Sequence, residues 1–137
     1  MLHTFLAIFL AASPMTAAPT QTHTTEESMH KHINAEQLKS LYDQNTKMIV
    51  LDARSKHYFD GTLLPNAIWL PAESTEQEIQ AVIPSKSSLV IVYCLGVKCP
   101  ASGWLYDKLI AMGYDNVYDY HEGLEDWKKR GLPTTKQ

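Results

Sequence analysis

Short apolar runs alternate along the chain with segments whose apolar residues recur at helical spacing. A continuous apolar run between polar or turn residues is typical of a strand buried on both faces, whereas apolar residues three and four positions apart indicate one face of a helix. The predicted strands are 48–51, 67–70, 89–93 and 116–120. The predicted helices are one that begins after Asn34, then 74–82, 102–112 and 124–130, with a short helical turn at 56–60.

Residues that begin and end helices support these boundaries. Asn34 and Gln37 have the spacing of a capping box, in which each side chain accepts a hydrogen bond from the other residue's backbone N–H. Gly113 and Gly131 each follow a predicted helix and suit the left-handed position that commonly ends one. Strands separated by helices need crossover connections, which pair them in parallel. The pattern therefore predicts an α/β fold with an open, mainly parallel sheet and helices on both faces.

The composition is that of one ordinary globular domain. Of the 137 residues, 45% are apolar and 20% are charged, and 12 Lys and Arg against 15 Asp and Glu give a formal net charge of −3. A disordered chain would have fewer apolar residues and more uncompensated charge. Because the chain has no long run of Lys or Arg, we expect neither nucleic acid nor an anionic membrane as a partner.

The N-terminal segment predicts export. An apolar run at 5–12 is followed by the small residues Thr16, Ala17 and Ala18, the arrangement of a secretory signal peptide. This run is far shorter than the roughly 20 apolar residues of a membrane span, so stable membrane insertion is not expected. The predicted division is a signal peptide at 1–18, a flexible linker at 19–31 and a globular domain at 32–137. We therefore expect a periplasmic or secreted protein.

Cys94 stands between the clearest predicted strand and a predicted helix. Ligands of open parallel sheets bind outside the carboxyl ends of the strands, so a reactive group is expected at this position. The loop from Gly96 to Ala101 offers backbone N–H groups and a helix N-terminus, which together with Lys98 would stabilise a thiolate. Spacing alone leaves two interpretations open: an activated nucleophile, or a small buried residue that ends a strand.

Three stretches of the sequence resemble rhodanese-like domains, a family that carries sulfur as a cysteine persulfide at the end of a strand. The first contains an Asp-x-Arg motif, the second is the strand that leads to the cysteine, and the third is the C-terminal signature. The similar positions are Asp52, Ala53, Arg54, Tyr58, Gly61, Pro65, Ala67, Leu70 and Pro71 in the first, 90–94 in the second, and Gly113, Tyr114, Val117, Gly123, Trp127, Gly131, Leu132 and Pro133 in the third. The resemblance extends over about residues 33–133.

The resemblance implies a single-domain sulfurtransferase with Cys94 as the catalytic nucleophile. It also implies that Asp52 and Arg54 lie near the site, with a structural ion pair as the alternative role for Arg54. The residues implied to cradle an anion are Leu95, Gly96, Val97, Lys98, Pro100, Ala101 and Ser102. The implied partners are a small-molecule or protein sulfur donor and a thiol acceptor, and no metal or organic cofactor is implied.

The cysteine loop departs from the common form of the family. It looks longer, since the small hydroxyl residue at the helix start, Ser102, comes later, and Lys98 is its only cation in place of an arginine. A lysine does not bind a sulfonate bidentately, which argues against thiosulfate as the donor. Cys99 follows Cys94 in the same loop. It would resolve an oxidised Cys94 to a disulfide that a reductase reopens, form a static disulfide, or stay unpaired.

The same loop disfavours two other kinds of site. A cysteine-loop phosphatase needs an arginine near the loop's end, where this chain has Pro100, Ala101 and Ser102. A zinc site needs more ligands than two cysteines supply. Two alternatives to a sulfurtransferase remain: a periplasmic thiol–disulfide redox protein that uses Cys94 and Cys99, and a non-catalytic binding module.

Overall fold

Four parallel strands form the main sheet of the computed structural model, which describes residues 30–137. The elements in chain order are α1 (Ala35–Asp43), β1 (Ile49–Asp52), β2 (Thr62–Leu63), β3 (Ile68–Trp69), α2 (Glu76–Val82), β4 (Val90–Tyr93), α3 (Ala101–Ala111), β5 (Val117–Tyr120), α4 (Gly123–Lys129) and β6 (Thr135–Lys136). The strand order in the sheet is β3-β1-β4-β5, and β2 and β6 form a separate antiparallel pair. The predicted fold class is confirmed.

The two faces of the main sheet bury separate apolar clusters. Successive residues of a strand point to opposite faces, so Leu51 and Val92 pack on the side of α2 and α3, while Val50 and Ile91 pack on the side of α1 and α4. All four residues of β4 are buried. Burial on both faces explains why this central strand is continuously apolar.

The predicted helix ends agree with the structure. Asn34 and Gln37 form both bonds of the capping box at the start of α1. Gly113 and Gly131 have φ angles of 88° and 70°, the left-handed conformation that glycine adopts without steric cost.

Two elements differ from the prediction. The predicted helical turn at 56–60 is shorter in the structure, a single turn at 56–58 in which the N–H groups of Tyr58 and Phe59 donate to Ser55 O. The buried Arg54 side chain takes the Tyr58 carbonyl that a continuing helix would use. The β2–β6 pair was not predicted, since each strand has two residues and therefore no readable alternation.

The predicted division at the N-terminus falls partly on described residues, of which 30 and 31 belong to the predicted linker. The predicted signal peptide at 1–18 and linker residues 19–29 lie outside the described residues. The last two residues of the predicted linker contact the domain: Lys31 O accepts from Asp119 N at 2.8 Å, and His30 Nε2 lies 2.7 Å from Asp107 Oδ1. Within residues 30–137, no helix is long and apolar enough to cross a membrane.

Candidate active site

The candidate site lies at the carboxyl end of β4, the central strand. Cys94 directly follows β4, and the chain then forms a loop at 94–100 before α3 begins at Ala101. The predicted helix start at Ser102 differs by one residue from the structure, in which Ala101 is the first residue of α3 and Ser102 the second. The loop is closed by a turn in which Cys99 N donates to Gly96 O at 2.9 Å.

Cys94 and Cys99 form a disulfide, with their Cα atoms 6.1 Å apart. Of the three alternatives for Cys99, the unpaired thiol is therefore wrong for this form of the protein, and the resolving cysteine and the static disulfide both agree with it. Cys94 is 1% exposed and belongs to the apolar cluster under α2 and α3, together with Ala101 and Leu105. Cys99 is only partly buried. Both cysteines pack in the same apolar cluster, and they differ in exposure, since Cys94 is buried and Cys99 is partly exposed.

A cleft of about 520 Å³ opens beside the disulfide. Its lining consists of Tyr58, Leu95, Gly96, Val97, Lys98, Cys99, Pro100 and Glu125. The structure therefore brings together the predicted loop residues Leu95, Gly96, Val97, Lys98 and Pro100. Tyr58 was noted only as part of a motif, and Glu125 was missed, because each lies on a segment far from Cys99 in the sequence. The only signal for Glu125 was its place just after Gly123.

The backbone N–H groups of the loop do not surround the Cys94 sulfur in this oxidised form. Within the described part of the chain, no hydrogen bond reaches that sulfur, and the N–H groups of Gly96, Val97 and Lys98 have no acceptor. The expected ring of amides around an exposed thiolate is therefore absent here. The donors that such a ring would use are nevertheless free.

The first turn of α4 packs against the cysteine loop and donates two backbone hydrogen bonds to it. Leu124 N donates to Cys94 O at 3.0 Å, and Glu125 N donates to Leu95 O at 2.8 Å. Gly123 has a φ of 66°, and a Cβ at this position would overlap the Cys94 carbonyl. A Cβ at Gly96 would lie 2.5 Å from Glu125 Oε2, which places this carboxylate directly over the loop. Both glycines permit the close approach of α4 to the cysteine loop.

Arg54 and Asp52 form a buried ion pair below the site. Arg54 is 1% exposed, and its Nη2 lies 2.7 Å from Asp52 Oδ2. Its side-chain N–H groups donate to the Asp52 carboxylate, the Tyr58 and Thr62 carbonyls and the Asp60 carboxylate, so all five donors are used. Neither Asp52 nor Arg54 lines the cleft. Arg54 therefore has no donor free for an anion, and its geometry is that of a structural ion pair.

Charge in the cleft is balanced. Lys98 contributes one cation and Glu125 one carboxylate, and the other lining side chains that face it are uncharged. Among residues 30–137, no three His, Cys, Asp or Glu side chains are placed to hold a metal ion together.

Comparison with known proteins identifies the family. The family model described as "Rhodanese-like domain" matches residues 34–130. The adenylyltransferase and sulfurtransferase UBA4 of Candida albicans is 33% identical over 95 residues, which are 64% of this chain and 21% of that protein. The chain thus spans about a fifth of the length of this curated relative.

Solved structures show the same fold. The BH2092 protein of Bacillus halodurans superposes with a TM-score of 0.70 at 21% identity, covering 80% of this chain and 79% of that one. The thiosulfate sulfurtransferase of Pseudomonas aeruginosa superposes with a TM-score of 0.68 at 22% identity, covering 80% of this chain and 21% of that one. The family model, the relative and the shared fold agree, and the chain belongs to the rhodanese-like domain family.

Proposed function

We propose that the reduced protein is a sulfurtransferase that carries sulfane sulfur as a persulfide on Cys94. The observation that carries this proposal is the position of Cys94, at the carboxyl end of the central strand and at the head of a loop with free N–H groups. The relationship to a named sulfurtransferase supports it. The donor class we favour is a persulfide or polysulfide, because Arg54 is fully engaged and Lys98 is the only cation among the described residues that line the cleft.

The reaction has two displacement steps at sulfur. The Cys94 thiolate attacks the outer sulfur of the donor, a new S–S bond forms, and the donor's own S–S bond breaks, so that its thiolate leaves with the electron pair. An acceptor thiolate then attacks the outer sulfur of the Cys94 persulfide and regenerates the Cys94 thiolate. The free N–H groups of Gly96, Val97 and Lys98 would stabilise the anionic sulfur between these steps.

Cys99 offers a second way to end the cycle. Its thiolate would attack the Cys94 sulfur of the persulfide, which forms the Cys94–Cys99 disulfide and releases hydrosulfide with the outer sulfur. The product is the disulfide found in the structure. Two electrons from an external thiol reductant are then needed before Cys94 accepts sulfur again.

We also propose that the protein acts in the periplasm or outside the cell. The signal-peptide pattern at 1–18 and the disulfide support this location, because disulfides persist mainly in oxidising compartments. Expression of the full chain with a C-terminal tag, followed by fractionation, tests this. Accumulation of the uncleaved chain in the cytoplasm would contradict it.

The activity is tested by measuring the rate of sulfur transfer to a thiol acceptor by pre-reduced protein. Thiosulfate and glutathione persulfide are compared as donors. We expect turnover with the persulfide to exceed turnover with thiosulfate, and Cys94→Ser to lower the rate to that of the uncatalysed reaction. Cys99→Ser is the matched control, since it removes the other loop cysteine but leaves the nucleophile, and it should keep the transfer. No turnover with either donor would favour a non-catalytic binding module.

A further inference from the structure

We propose that the disulfide is opened by attack on Cys99, and that the attacking molecule is a protein dithiol which docks on an apolar rim formed by Tyr58 and Val97. This inference deepens the proposed function, because it names what must act before Cys94 can accept sulfur. It concerns only the opening of the disulfide and is tested without any sulfur donor.

Accessibility distinguishes the two sulfurs. Exchange requires a thiolate to approach the attacked sulfur from the side opposite to the leaving sulfur. Cys99 lines the cleft, whereas Cys94 is 1% exposed and is not part of the lining. An incoming thiolate in the cleft therefore meets Cys99 first, with Cys94 behind it as the leaving group.

Burial in an apolar cluster disfavours a thiolate at Cys94, and the N-terminal end of α3 would offset part of this cost. Cys94 shares a buried cluster with Ala101, the first residue of the 11-residue helix α3. The first N–H groups of a helix have no partner within the helix and carry partial positive charge. Pro100 precedes them without a capping side chain, so this end of α3 has no side chain competing for those donors.

The chemistry favours a dithiol over a monothiol. A monothiolate would form a mixed disulfide with Cys99, and the released Cys94 thiolate would attack Cys99 again and expel it. A dithiol uses its second thiolate to attack its own sulfur in the mixed disulfide, which forms the partner's disulfide and releases the Cys99 thiolate. Two protons taken from solvent complete the Cys94 and Cys99 thiols, and the partner loses two electrons.

The rim of the cleft indicates that the partner is a protein with an apolar surface around its reactive thiol. The large exposed apolar side chains of the described residues are Tyr58, Ile68, Val97 and Trp104. Tyr58 is 65% exposed and Val97 59% exposed, and both line the cleft that contains Cys99. Lys98 and Glu125 carry opposite charges there, so the rim does not select a strongly charged small thiol. Two exposed apolar side chains on the cleft that contains Cys99 suit a partner with the same kind of surface.

A trapping experiment shows which sulfur is attacked. It uses a bacterial thioredoxin in which the resolving cysteine is replaced by serine. Oxidised protein is incubated with a large excess of this variant, which offsets the return attack by the Cys94 thiolate. N-ethylmaleimide is then added to alkylate the thiol released in the covalent complex, and the complex is mapped by peptide mass spectrometry. We expect thioredoxin on Cys99 and the maleimide on Cys94. A complex through Cys94, an even mixture of the two, or the absence of any complex would overturn the proposal. None of these outcomes depends on sulfur transfer.

Docking on the rim is tested by measuring the rate at which intact thioredoxin opens the disulfide. Thioredoxin is kept reduced by its reductase and NADPH. Val97→Ser and Tyr58→Ser should each lower this rate about tenfold, as expected for exposed apolar anchors of an interface. Reduction by dithiothreitol should change less than about twofold, because a small dithiol needs no rim. Ile68→Ser is the matched control, an exposed apolar residue on β3 that does not line the cleft. Equal losses with both reductants, or no loss with thioredoxin, would contradict docking on the rim.

Discussion

The Arg54 side chain fixes the conformation of the segment between β1 and β2. Its guanidinium binds the Asp52 carboxylate from one side and the Tyr58 and Thr62 carbonyls from the other. Trp69 Nε1 donates to the Arg54 carbonyl at 2.7 Å, which ties the same residue to β3. Since Tyr58 lines the cleft, this buried ion pair positions one wall of the candidate site.

Replacing Arg54 by Met should destabilise the protein by about 3–5 kcal/mol, because it leaves the fully buried Asp52 carboxylate without its partner. Urea unfolding followed by far-UV circular dichroism measures the free energy of unfolding. Lys39→Met is the control, since Lys39 pairs with Asp43 on the exposed face of α1 and its loss should change stability little. Equal effects of the two substitutions would contradict the buried network.

Asp60 should make a pH-dependent contribution to stability. The Thr62 N–H and, more weakly, the charges of Arg54 and Lys136 lower the pKa of Asp60 to about 2. The folded pKa is below the unfolded value near 4, so this stabilisation is present above about pH 4 and is lost as the pH falls from 4 to 2. Asp60 is 59% exposed, so solvent screening keeps the effect below about 1 kcal/mol.

Asp60→Asn keeps the hydrogen-bond acceptor but removes the charge. Unfolding of both proteins is compared between pH 7 and pH 2. The wild type should be the more stable at neutral pH, and the two stabilities should converge as the pH approaches 2. A difference that stays constant over this range would contradict the assigned pKa direction.

At the scale of elements, the contact between α4 and the cysteine loop shapes the site. Gly123 begins α4 in a left-handed conformation and lies against the Cys94 carbonyl, so that the next two N–H groups reach the loop. Gly113, at the end of α3, has a similar conformation, but a Cβ there would meet nothing within 4 Å. An alanine at Gly113 therefore has only the cost of the backbone conformation, whereas an alanine at Gly123 has that cost and a steric overlap.

Gly113→Ala should cost about 1–2 kcal/mol, the price of a left-handed conformation for a residue with a Cβ. Gly123→Ala should cost clearly more, about 3 kcal/mol or above, because its Cβ also displaces the loop backbone. Urea unfolding of oxidised protein measures both. Similar losses in the two variants would show that α4 does not hold the loop as closely as described.

Elements that are buried on both faces were predictable from the sequence, and elements that depend on distant partners were not. The apolar run 89–93 predicts β4 because both faces of that strand are covered. The pairing of Thr62 with Lys136 joins segments far apart in the chain, and no local pattern reports it. The turn at 56–58 likewise depends on a more distant group, because the Arg54 side chain donates to the Tyr58 carbonyl that a longer helix would use.

The candidate site was predictable in part for the same reason. The order of strand, cysteine, loop and helix places Cys94 at the edge of the sheet, and the loop residues follow in sequence. Tyr58 and Glu125 enter the cleft from other segments, so only the assembled fold brings them there. Residue spacing alone does not determine the conformation of the loop. It therefore does not predict that Cys94 is buried while its disulfide partner Cys99 is partly exposed.

For the whole molecule, we expect a change of oxidation state to alter the site and to leave the scaffold intact. The sheet and its two apolar clusters are formed mainly by residues outside the loop, and the disulfide closes only the short loop between Cys94 and Cys99. A disulfide across such a short loop adds only about 2 kcal/mol by the chain-entropy argument. We therefore expect reduction to release the loop and its free N–H groups towards Cys94 without unfolding the domain.

The central claim is that the Cys94 sulfur of the reduced protein receives a sulfur atom from a donor. Intact-mass spectrometry of reduced Cys99→Ser protein after a single addition of glutathione persulfide tests it most directly, because this variant cannot discharge the adduct into the disulfide. We predict a mass increase of one sulfur atom, mapped to the peptide that contains Cys94 and reversed by dithiothreitol. An unchanged mass, or the same increase in Cys94→Ser protein, would contradict the account.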